Sequence, residues 1–247
     1  MKRTPFALAA VALLALLAAA CGKDDAVPAS AGEPATSTTA GADETTTTAA
    51  GDTASSETTT GDEEAGPTAT PEAELRADLT ALLEEHVYLT GITVDGVVRE
   101  GNASPGATAA AGTLEDNSVA IGDAMSSAFD AQVGEDFLRL WRGHVVDYLD
   151  YTAAKQAGDA VAASAAVDRL DQYRSDTGDL LEPASDEALS ADTVSGDLEV
   201  HVQSVLAVID ATVAGSPDEV PLLREAAGHM PDTAAMLAAG IAEAQAA

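Results

Sequence analysis

Three histidines recur at a nearly constant interval: His86, His144 and His201 are separated by 58 and then 57 residues. Each opens a related tetrapeptide, His-Val-Tyr-Leu, His-Val-Val-Asp and His-Val-Gln-Ser. The second and third copies continue in step, with residues 153–158 (AAKQAG) against 210–215 (DATVAG), so that Gly158 and Gly215 each follow their histidine by 14 residues. Farther on, residues 117–123 (NSVAIGD), 173–179 (YRSDTGD) and 229–235 (HMPDTAA) align as well. A period of this size denotes a repeated supersecondary unit, and it restricts the fold to copies of one unit set against each other.

The unit reads as two helices. Around His144, Phe137, Leu140, Trp141, Tyr148 and Leu149 recur at helical spacing; around His201, Val194, Leu198, Val205 and Leu206 do so; before His86, Leu79, Leu82 and Leu83 do so. Such stripes are the buried faces of amphipathic helices. Partner helices are expected over about residues 114–129, 161–181 and 219–242, with residues 101–112 as the one long loop. Thr113 with Asp116, and Ser190 with Thr193, are placed as N-caps. Gly158 and Gly215 fit C-caps, Pro217 the first turn of the last helix, and Pro183 the end of the fourth. Residues 92–94 (Ile-Thr-Val) are the one strand-like run. The expected fold is all-α: about six helices in three antiparallel pairs, as a bundle or a short array.

The repeats fill residues 72–247. Residues 21–71 are a different kind of chain, rich in Thr, Ala, Gly, Ser, Asp and Glu and, apart from Val27, without a large hydrophobe. Such a composition buries too little apolar surface to offset ordering entropy, so a disordered acidic tether is expected, with a reach of roughly 35–40 Å. Residues 1–20 carry a basic start, Lys2-Arg3, then an apolar run from Phe6 to Ala20. This is the layout of a secretory signal peptide, and the run is short for a membrane span. The sole cysteine, Cys21, follows Ala18-Ala19-Ala20 directly. That junction resembles the lipobox of bacterial lipoproteins, although the leucine expected three residues before the cysteine is Ala18, with Leu17 one place earlier. The resemblance implies lipidation (palmitate) of Cys21, a membrane anchor and an extracytoplasmic location at the cell envelope. With that thiol used, no disulfide can form in the mature chain.

The formal net charge of −31 repels nucleic acid and anionic headgroups, so neither is an expected partner. Gly-x-Ser-x-Gly, P-loop and dinucleotide fingerprints are absent. The Glu-x-x-His signature of di-iron bundles is missing too, because Leu83, Trp141 and Leu198 stand three residues before the histidines. Asp123, Asp179 and the aromatic group Trp141, Tyr148 and Tyr151 are read as solvated carboxylates and core residues. Asn102-Ala103-Ser104 spells a glycosylation sequon.

All four histidines lie in the repeats. The favoured expectation is that they are inherited core residues, each satisfied by a neighbouring hydroxyl or carboxylate, with Asp197/His201 and Glu225/His229 as helix-surface pairs. In a linear stack the three would be a repeat apart. If the units instead close about a pseudo-three-fold axis, His86, His144 and His201 converge, and three imidazoles suit copper or zinc. His229, Met230 and Met236 would then add soft ligands. Glu84-Glu85-His86, Ala157-Gly158-Asp159 and His229-Met230-Pro231-Asp232 resemble the pattern of a family of bacterial secreted and surface helical-repeat proteins without a settled activity; the likeness spans about residues 75–242 and implies a helical fold but no catalytic residues. The leading expectation is a non-enzymatic binding or scaffolding domain for a cell-surface protein partner. Its alternative is an extracytoplasmic copper- or zinc-binding protein.

Overall fold

The structure is a computed structural model that describes residues 70–247. The expected signal peptide, Cys21 and the expected tether lie outside the described residues. Six helices follow in order: α1 (Pro71–Glu100), α2 (Pro105–Ala128), α3 (Ala131–Ala157), α4 (Ala160–Ala184), α5 (Ala191–Ala214) and α6 (Glu219–Ala246). Among the described residues there is no strand; residues 92–94 are helical.

Local chemistry sets the boundaries. Side-chain oxygens of Thr70, Ser104, Asp130, Asp159 and Ser190 accept hydrogen bonds from first-turn N–H groups of α1 to α5. These groups have no partner within the helix, which is why a short polar side chain is favoured there. Pro71 and Pro105 occupy the first turn, where a missing N–H costs nothing. Gly158 and Gly215 terminate α3 and α5 with φ of 68° and 63°. That left-handed conformation suits glycine, and it explains why both recur at the same distance from their histidines.

Three expectations are corrected. The long loop 101–112 shrinks to the segment before Pro105, because Ser104, not Thr113, caps α2. Thr113 sits inside that helix and donates to the Ala109 carbonyl. The alanine-rich start of α2 lacks an apolar stripe but packs closely on α1: a Cβ at Gly96 would lie 3.3 Å from Ala107 Cα. Pro217 precedes α6 rather than opening it.

The helices close into a ring. Each packs on its neighbours in sequence, and α6 returns to pack on α1. In addition α1, α3 and α5 touch one another across the centre, while α2, α4 and α6 fill the gaps outside them. The three repeats therefore form a six-helix bundle about a pseudo-three-fold axis and not a linear stack. Ion pairs, each with at least one exposed partner, link neighbouring helices: Arg99 with Glu219 at 2.8 Å, Arg142 with Glu115, Arg169 with Asp147 and Asp150, and Arg174 with Glu199 at 3.4 Å. At such exposure each contributes at most about 1 kcal/mol, so burial holds the bundle.

The core falls into two apolar clusters. One contains Leu79, Leu83, Trp141, Leu198 and Met230. The other contains Val94, Tyr148, Leu170, Val205 and Ile209. Along each central helix, the histidine lies at the junction of the two.

Candidate functional site

The central helices α1, α3 and α5 carry one histidine each, and the repeat places all three at the same level. Leu83, Trp141 and Leu198, three residues before the histidines, belong to the first cluster. Tyr148 and Val205, four residues after, belong to the second. The three imidazoles thus form a polar layer between two apolar floors, with His86 and His144 0% exposed and His201 1% exposed.

Ring closure brings them together. His86 Nε2 and His144 Nε2 lie 3.2 Å apart. Ring centroids are 5.2 Å apart for His86 and His144, 5.8 Å for His86 and His201, and 6.1 Å for His144 and His201. One ring nitrogen from each histidine falls within 4.8 Å of the other two. Aromatic side chains wall the group. Trp141 lies 4.6 Å from both His86 and His144, Tyr173 stacks on His144 at 4.5 Å, and Tyr148 meets His144 and His201 edge-on.

The layer is poor in hydrogen bonds. Neither ring nitrogen of His201 has a partner among the described residues, nor does Nδ1 of His86 or His144. The Trp141 indole N–H and the Tyr148 and Tyr173 hydroxyls are equally unpartnered. Buried polar groups are normally paired, and each orphan costs about 1–3 kcal/mol. Orphans grouped at one level of a core are unusual for packing alone.

Burial, more than any neighbouring charge, holds these imidazoles neutral. It pushes His86 and His144 well below the ordinary histidine value, and mutual repulsion among the three rings adds to the effect. The Trp141 backbone opposes this weakly at His144. His201 is pushed down to about 4, first by burial and then by the nearby charge of His229. Burial likewise raises Tyr148 and Tyr173, so both phenols stay protonated.

Neutral imidazoles with free lone pairs are metal ligands. Bonds of 2.0–2.1 Å at tetrahedral angles separate ligand nitrogens by about 3.3 Å. The His86–His144 Nε2 pair at 3.2 Å matches, and one nitrogen from each of the three rings lies within 4.8 Å of the others, so the rings would draw closer to share an ion. The donor set therefore fits a transition metal. No carboxylate belongs to the group.

The other sequence candidates divide. Met230 is buried, and with Met236 it lines a cavity of about 20 Å³ that borders His201. His229 stands apart from the three: its Nε2 lies 3.3 Å from an Asp197 oxygen, without hydrogen-bond alignment. Asp197 accepts a 2.7 Å hydrogen bond from Thr233, so the expected Asp197–His201 surface pair is not made. Helix geometry explains this, because His201 points inward while Asp197 faces α6. Asp123 and Asp179 are exposed. Two residues were missed by sequence reasoning. Met125 lines the cavity and Tyr173 stacks on His144. Each sits in an ordinary apolar stripe; only the alignment of Tyr173 with Asn117 and His229 hinted at a special place.

No family model, no curated protein and no solved structure matches this chain.

Proposed function

We propose that this chain is a lipid-anchored, extracytoplasmic protein that binds one transition-metal ion, copper or zinc, through His86, His144 and His201. One observation carries the reading: a ring nitrogen from each of three sequence-distant histidines lies within 4.8 Å of the others in a buried layer. Convergence is what metal binding requires, and it favours this role over scaffolding. The lipid anchor rests on Cys21 and its junction with the apolar run. It is compatible with the helices, since among the described residues none is long and apolar enough to cross a membrane. The sealed position of the histidines supports a binding role rather than an enzymatic one.

The test is metal content and melting of the full chain with copper, zinc or iron beside a chelator-treated control. A ligand that binds only the folded state stabilises it by about 2.7 kcal/mol at 100 times its dissociation constant, which raises the melting temperature of a domain this size by about 5–10 °C. One ion per chain and such a rise, both lost in His144→Ala, are the expected result. Absence of stoichiometric metal and of any shift would overturn the proposal.

A further inference from the structure

We infer that the centre takes copper as Cu(I), with a thioether from the adjoining cavity completing the three imidazoles. The inference rests on the metal-site reading above and names its ion. It starts from the methionines. The chain has four, and the three that follow Met1, namely Met125, Met230 and Met236, all line the cavity that borders His201. They come from α2 and α6, so the bundle gathers them from residues more than a hundred apart in sequence. Met125 and Met230 are 0% and 2% exposed.

Two physical arguments choose among ions. The first is charge. The cavity is lined by apolar side chains together with Trp141, Tyr173, Thr177, Thr233 and His201, and by no carboxylate. Three neutral imidazoles and neutral phenols leave the full charge of an ion uncompensated. The cost of taking an ion out of water grows as the square of its charge, so a monovalent ion suffers about a quarter of the penalty of a divalent one. The second is softness. Imidazole accepts zinc and copper alike, whereas thioethers select Cu(I). The volume of about 20 Å³ also admits an extra atom beside His201, since about 10–15 Å³ suffices for one water molecule. Zinc in a three-histidine site commonly relies on a bound water or hydroxide; an apolar, sulfur-lined chamber is a poor host for that anion.

The experiment is an anaerobic titration of the full chain, with Cys21→Ser as background so that the sole thiol does not compete. Cu(I) is supplied against a chromophoric Cu(I) chelator, and Zn(II) against a zinc indicator. We expect one Cu(I) per chain, bound at least 100-fold tighter than Zn(II). One of Met125→Leu, Met230→Leu and Met236→Leu should weaken Cu(I) at least tenfold while changing Zn(II) binding less than twofold, and no such loss in any of the three would overturn the thioether. X-ray absorption of the Cu(I)-loaded background protein, which needs no core substitution, should show a sulfur shell beside nitrogen. Zinc binding as tight as Cu(I), or a copper shell of nitrogen alone, would overturn the Cu(I)–thioether assignment while leaving a metal site in place. No binding of either ion would overturn the metal reading itself.

Discussion

On the Val94 side of the histidine layer small and branched side chains, among them Ala154, Ala163, Ala166, Val202, Val205 and Ile209, surround Tyr148, Tyr151 and Leu170. On the Leu79 side, among leucines, isoleucines, valines and alanines, stand Phe137, Trp141, Tyr173 and the methionines Met125 and Met230, and this side contains the cavity. Small residues let helices approach and lock, so the first floor fixes the level of the histidines. Methionine adapts to irregular gaps, so the second floor can rearrange around an added atom. The contrast teaches that a repeated unit need not give a symmetric core: one side of the layer carries the buried methionines and the cavity, and the other carries neither.

Acid acting on the layer between the floors should have the largest effect. Each imidazole is neutral when folded and free to take a proton once unfolded. The unfolded chain therefore binds more protons, and stability falls as pH drops below about 6.5, continuing down to about 4 for His201, with His86 and His144 also held well below the ordinary histidine value by burial. Three such groups cost about 4 kcal/mol between pH 7 and 5.5 in the metal-free protein. Denaturant melts at the two pH values check this. Equal stability at both would mean that the histidines are not buried neutral.

The floors should differ next. Leu170→Ala empties a fully buried position on the Val94 side and should cost about 3 kcal/mol. Met125→Leu, equally buried on the other side, should cost less than about 1.5 kcal/mol. Chemical denaturation of both variants sharpens the comparison, and equal losses would erase it. The smallest effect is expected at the layer itself. His201→Leu removes two buried, unpartnered nitrogens, so the metal-free variant should be as stable as the parent or more stable by about 1 kcal/mol, while losing bound metal. A large loss of stability would show that His201 is there for packing.

Much of this was legible in the amino-acid order. The interval between His86, His144 and His201 is a property of the repeat, and the apolar stripe beside each predicts a helix with its histidine inward. Ser190, Gly158 and Gly215 announced helix ends because caps are local chemistry. The start of α2 was not legible: Ala107 and its neighbours join the helix through contact with Gly96, a tertiary effect that periodicity does not register. Closure of the ring was not legible either, since it depends on α6 packing against α1 across the whole domain. Without closure the histidines would remain apart, and Met125 and Tyr173 would be unremarkable members of their stripes.

One chain here does what three identical hairpins could do by associating about a three-fold axis, where each would contribute the same histidine to the centre. Covalent fusion of the three removes the obligation to be identical. The position four residues past the histidine is Thr90 in one third, Tyr148 in the next and Val205 in the last; the matching place on the outer helices is Asn117, Tyr173 and His229. A symmetric trimer would have to present the same group three times around the axis. The fused chain can keep the shared imidazoles and give each third its own neighbour, so that one direction out of the centre is aromatic, another hydroxylated and a third aliphatic.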